Sequence, residues 1–285
     1  MFQSLNNVKH KQKIPRNILN FPPEVCLNNY LEKEIQNIFR PFNYAFILLL
    51  SSKYTMQDNY ITPNGKLRTF LSCMSASYVS GVGFYYMISN KYLEYNSSVY
   101  SITVVTIVVQ LIIIGYCFGV ILIMVNNFVF SQKNILLIVT IQTIGKNINL
   151  SKVVKNFIVG NWIAILIPSA IYAGIQGSFY IFYYIIDYTL VLATLCTIAF
   201  LAFELELVYA LRVIVLLRKY LQGWVQMVSK LNYDQDDGYD CVKLFKIYQN
   251  ILQAFELYKA VSQFLVIGLH LLSSQKSFLK RTLIL

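Results

Sequence analysis

Asp187 is the acid set deepest in an apolar run, FYIFYYIIDYTLVL, and it has the greatest potential for chemistry in the chain. Placing a carboxylate in hydrocarbon costs at least about 2.5 kcal/mol, so this one must face protein or water. Tyr180, Tyr183 and Tyr184 precede it at the spacing that puts them on its face of a helix. Tyr85, Tyr86 and Tyr100 stand at the ends of neighbouring apolar blocks expected on the same side. One reading makes these residues the lining of an external cavity, which takes a small, part-polar molecule by ring stacking and hydroxyl hydrogen bonds. The other makes the tyrosines an interfacial aromatic belt and Asp187 a hydrogen-bond partner between helices.

Other chemistries lack their residues. No P-loop, no GxGxxG after a strand and no HExxH occurs, and the two histidines, His10 and His270, are far apart. Cys26, Cys73, Cys117, Cys196 and Cys241 form no CxxC pair, so neither a metal site nor a disulfide framework is expected. The acidic run DQDDGYD (234–240) lacks the ligand spacing and closing Glu of a calcium loop and is expected to be a solvated hinge. No cofactor is implied and no catalysis is expected.

The elements that must hold these residues follow from composition. The 285-residue chain is 56% hydrophobic and 13% charged, about half the charge of an ordinary soluble domain. Its apolar residues come in blocks of roughly 20, a length that suits lipid. The expected fold is all-α, a polytopic transmembrane helical bundle of about five spans. Residues 1–38 read as a basic cytoplasmic arm with no apolar core behind it, so the first span is expected to serve as its own insertion signal. Residues 39–66 read as an interfacial or re-entrant helix and a turn, since the apolar part is too short to span. Four spans are expected over 67–207, from the apolar blocks 67–89, 100–130, 156–176 and 179–203, with a mixed stretch over 131–155 and a turn at Gly177-Ser178. A cytoplasmic helix and the acidic loop follow over 208–245, a fifth span over 246–272, and an external tail over 273–285. Residues 179–224 should form one helix that leaves the bilayer unbroken, with Glu204, Glu206 and Arg212 as a solvated collar.

Charge sets the orientation. Residues 1–68, 131–155 and 212–246 hold nine, four and six of the 24 lysines and arginines, and in this arrangement they share one side. That side is the cytoplasm. The net charge of +11 is therefore read as membrane orientation, with no nucleic-acid partner. Asn96, in Asn96-Ser97-Ser98, falls outside and is the expected glycosylation site, while the sequon at Asn149 falls inside.

Several stretches together resemble the insect gustatory receptors, above all the divergent type of moths and butterflies. They are Arg40-Pro41-Phe42, KYTMQDNYITPNG (53–65), SQKNILLIVTIQTIGKNINL (131–150) with Asn161-Trp162, FELELVYALRVIVLLRKYLQGW (203–224), and Val242 to Leu272, with YQNILQAFELYKAVSQFLVIGLHLL at its core. The resemblance implies a seven-helix plan with a cytoplasmic N-terminus in the plasma membrane. It implies a homo- or hetero-tetrameric, ligand-gated, non-selective cation channel surrounded by membrane lipid. Small tastants, bitter plant compounds among them, would bind in the outer half of each subunit, near Tyr180, Tyr183, Tyr184 and Asp187 on the fourth helix. The family's pore helix carries a Thr-Tyr…Gln-Phe signature, whereas this chain reads SSQKSFLKRTLIL after Leu272, so it is not expected to conduct alone. The competing expectation is a small-solute transporter with Asp187 as coupling site. Against it stand the lack of internal repeats and of paired broken helices.

Overall fold

Apolar residues at 35, 38, 39, 42 and 46 recur at helical spacing, and in the computed structural model they form the inward stripe of α1 (Lys33–Leu48). The structure describes residues 29–94, 100–148, 151–183, 188–230 and 238–282. After α1 come β1 (Thr55–Gln57), β2 (Tyr60–Thr62), α2 (Lys66–Glu94), α3 (Tyr100–Val129), α4 (Ser131–Asn147), α5 (Ser151–Tyr183), α6 (Tyr188–Ser229) and α7 (Gly238–Thr282). The described residues are thus mostly helical.

Residues 39–66, expected to hold an interfacial or re-entrant helix and a turn, divide differently. Their apolar part belongs to a helix that begins at Lys33, and its stripe is covered by α5 and α6. Ile35, Ile38, Phe39, Phe42 and Phe46 are all buried. Two end-of-helix bonds stop α1: Ser51 N–H donates to Phe46 O at 2.9 Å and Leu50 N–H to Ile47 O at 3.2 Å. This 6→1 and 5→2 pair requires a left-handed residue, usually glycine, yet the position is Leu50 with φ 54°. A leucine there costs about 1–2 kcal/mol. The turn-rich stretch that follows is a tight hairpin, with Gln57 opposite Tyr60. Asp58 and Asn59 take φ of 50° and 67°, as a two-residue type I′ turn demands.

The long apolar blocks become long helices. α5 does not turn at Gly177-Ser178 but runs on to Tyr183, and Ser178 Oγ donates back to Gly174 O. One glycine costs about 1 kcal/mol in a helix, too little to stop one of this length. α6 does run unbroken out of its apolar half, as expected, but it begins at Tyr188. The mixed stretch after α3 is a helix, α4, and the chain bends by 70° where the two meet.

The packed core lies where α1, the hairpin, α4, the second half of α6 and the first half of α7 converge. α6 supplies its spine through Leu205, Tyr209, Val213, Leu217 and Tyr220. α5 contributes a narrow stripe, Val154, Phe157, Asn161 and Ile165. Its other faces expose Ile163, Leu166, Ile167, Ile171 and Ile175. Among the described residues one helix is long and apolar enough to cross a membrane, over Val154–Ser178 of α5, and 11% of its apolar window is buried. The bent pair Ile114–Val129 and Ser131–Asn147 would raise that number to two if it formed one broken span.

Candidate functional site

The residues expected to form an outer cavity are only partly placed. Tyr85 is on α2 and is 54% exposed, and Tyr86 lies in the same helix. Tyr100 is the first residue of α3. Tyr180 and Tyr183 lie in the last turn of α5 and so belong to the helix before α6, a correction to their expected place on a helix shared with 188–224. Tyr184 and Asp187 lie outside the described residues, as do Asn96, Asn149, His10 and 234–237.

A different polar constellation is brought together instead, at the end of the bundle that carries α1 and the hairpin. Glu206 faces inward from α6 because it occupies the buried stripe that runs through Ala202, Tyr209, Val213 and Leu216. Lys53 reaches it from the short link between α1 and β1. Lys53 Nζ and Glu206 Oε2 are 2.6 Å apart, and both side chains are 4% exposed. The ammonium also lies 4.7 Å from the centroid of the Tyr209 ring and 5.8 Å from that of Phe46. Such contacts favour a cation withdrawn from water. Burial, above all, holds the phenols of Tyr54 and Tyr209 above the usual tyrosine range.

A second constellation clasps α1, α5 and α6. Arg212 Nε donates to Asn161 Oδ1 at 2.6 Å and its Nη2 to Phe157 O at 3.1 Å. Asn161 Nδ2 in turn donates to Ile38 O at 2.9 Å. The guanidinium carbon sits 4.1 Å from the Phe157 ring centroid, and burial lowers its pKa. Gly160 makes room for it, because a Cβ there would stand 2.7 Å from Arg212 Nη2.

The solvated collar is therefore corrected. Glu206 meets Lys53, Arg212 meets Asn161, and Glu204 accepts a hydrogen bond from Tyr116 OH at 3.0 Å. Spacing along one helix looks only for partners on that helix, and these partners come from the exit of α1, from α5 and from α3. Glu206 had a readable signal in its position within the buried stripe. Lys53 had a weaker one, as the cation that closes an apolar run.

Two further links complete the region. Gln142 on α4 donates to Tyr30 O at 3.0 Å and accepts from Glu32 N–H at 2.8 Å, which ties down the chain that enters α1. Trp224 Nε1 on α6 donates to Leu244 O of α7 at 2.9 Å. Among the described residues no three His, Cys, Asp or Glu side chains gather as a metal site would need. The arrangement can fix helices relative to one another, and it presents no paired nucleophile and base. Comparisons of the chain with protein-family models, curated protein sequences and solved structures return no match.

Proposed function

We propose that the chain is a multi-pass protein of the plasma membrane with a cytoplasmic N-terminus. Its spans, about five in number, are α2, α3, α5, the first half of α6 and the second half of α7. Within that architecture it is a gustatory receptor subunit. It detects a small tastant and joins other subunits in a tetrameric, ligand-gated, non-selective cation channel.

The observation that carries this reading is a convergence. The stretches that resemble the gustatory receptors are scattered along the sequence, yet they meet in one packed region. Lys53 of the first long stretch pairs with Glu206 of the fourth, Arg212 of the fourth with Asn161, and Trp224 of the fourth with Leu244 at the start of α7. Chance likenesses have no reason to be neighbours. The membrane placement draws support from α5, whose exposed faces are apolar while Asn161 is 1% exposed.

The test is electrical. Oocytes expressing the full chain together with intact receptor subunits are challenged with a panel of bitter compounds under voltage clamp. A cation current whose size or ligand preference depends on the chain is the expected result. Ligand-driven uptake of solute without any current would replace the receptor by a transporter. Glycan mapping tests the orientation separately, with sugar expected on Asn96, and sugar on Asn149 would invert it.

A further inference from the structure

A cavity of about 480 Å³ lies between the end of α1, the exit of β2, the start of α2 and the junction of α3 with α4. Pockets for small organic ligands fall in this range, roughly 300–1,000 Å³. It sits at the opposite ends of α2 and α3 from Tyr85 and Tyr100, and it uses none of the residues expected to bind a tastant.

Its wall is built and held. Three successive carbonyls, those of Leu50, Ser51 and Ser52, are each bound by a side chain from a different element. Ser72 Oγ on α2 donates to Leu50 O, Asn127 Nδ2 on α3 to Ser51 O at 2.9 Å, and Asn64 Nδ2 after β2 to Ser52 O. The left-handed Leu50 belongs to this wall, so backbone strain is kept where the wall is made.

Two features define what the cavity can take. Among the described residues no Asp, Glu, Lys or Arg lines it, and the nearby Lys53 and Glu206 are neutralised by each other. Hydroxyl and amide side chains, Thr69, Ser72, Ser75 and Gln132, supply its polar lining, and each hydroxyl can accept a hydrogen bond from a ligand. Ile123, Met124 and Ala76 supply apolar wall beside them.

We propose that this cavity binds an uncharged, part-apolar small molecule that carries at least one hydrogen-bond donor. The site is separate from the outer tyrosines and does not rest on the receptor reading. Cys73, half-buried in the wall, is a reporter for it, and exposed Cys241 on α7 is an internal control.

The experiment uses the purified full chain in lipid nanodiscs and an aryl-diazirine benzyl alcohol as probe. In the dark, the rate of maleimide modification is followed at Cys73 and Cys241 by peptide mass spectrometry as the probe is raised. A saturating slowing at Cys73 alone is expected, about tenfold when the probe reaches ten times its half-effect concentration. On irradiation, adducts should fall on 49–52, 69–76 and 120–132. They should weaken in Ser75→Ala, which removes a lining hydroxyl and leaves the rest of α2 unchanged. Two results would each overturn the proposal: an unchanged Cys73 rate at saturating probe, or equal protection by a quaternary-ammonium analogue. Adducts confined to the outward faces of α5 would mean that the probe sees only lipid, and would overturn it as well.

Discussion

α1 and α5 are both rich in apolar side chains and use them in opposite senses. α1 turns Ile35, Ile38, Phe39, Phe42 and Phe46 into protein and leaves Arg40 and Tyr44 outside, where Arg40 Nε donates to Tyr44 OH at 2.9 Å. α5 turns Asn161 inward and leaves Ile163, Leu166, Ile167, Ile171 and Ile175 outside. In water the second arrangement would be unfavourable, because apolar surface stays solvated while an amide is buried. In lipid the preference is reversed. The contrast also separates the forces involved. α1 is held by burial of aromatic surface, whereas α5 is held on its narrow inward stripe by the Arg212–Asn161–Ile38 chain of hydrogen bonds as well as by Phe157 and Ile165.

The comparison can be broken most severely at the ion pair beside α1. Glu206→Ala leaves the Lys53 ammonium buried and unpaired, and a loss of about 3–5 kcal/mol is expected. Thermal unfolding of purified protein in detergent would register it. The double change Lys53→Met with Glu206→Leu should recover most of that loss, because two well-packed apolar groups need no partner. Phe42→Ala should cost about 3–5 kcal/mol by leaving a hole under α1. The matching change on α5, Leu166→Ala, should alter stability in detergent by less than about 0.5 kcal/mol. Equal effects of these two would end the distinction between the helices.

The lipid side of the contrast is sharpened by Ile167→Lys, which should weaken membrane insertion of α5 by about 2.5–3.5 kcal/mol in a translocon insertion assay. Tyr44→Lys on α1 should leave insertion unchanged. Among the buried contacts, the smallest loss is expected at Asn161→Ala. It strands Arg212 Nε and the Ile38 carbonyl and should cost about 1–3 kcal/mol, read as a lower unfolding temperature.

Much of the helical layout could be read from the sequence, because long apolar blocks have few alternatives. The ranges of α2 and α3, and the unbroken exit of α6 from its apolar half, are of this kind. Three features escaped for physical reasons. α4 looked mixed because Lys133 and Lys146 flank a stripe of Ile135, Ile138 and Ile141 that is buried only once α7 lies against it. α1 looked too short because its first turn, Lys33 to Gln36, is polar on the side that faces away from the core. The turn at Gly177-Ser178 was over-read, since one glycine costs a helix only about 1 kcal/mol, too little to end one of this length. The ion pair and the clasp escaped altogether, because their members come from different helices and only tertiary packing brings them together. Of the outer tyrosines and Asp187, the sequence supplies spacing, and the described structure supplies the position of Tyr85 on an exposed face.

α6 runs for 42 residues with no proline, about 63 Å of continuous helix. One end lies beside the region of Tyr188, the middle is gripped by Lys53 and Asn161, and Trp224 near the far end is bonded to α7. Mechanically this is a lever with a fulcrum. A tilt of about five degrees about that fulcrum would carry each end of a rod that long through about 3 Å, in opposite directions. A displacement at one end would thus reappear at the other, reversed in direction and nearly equal in size.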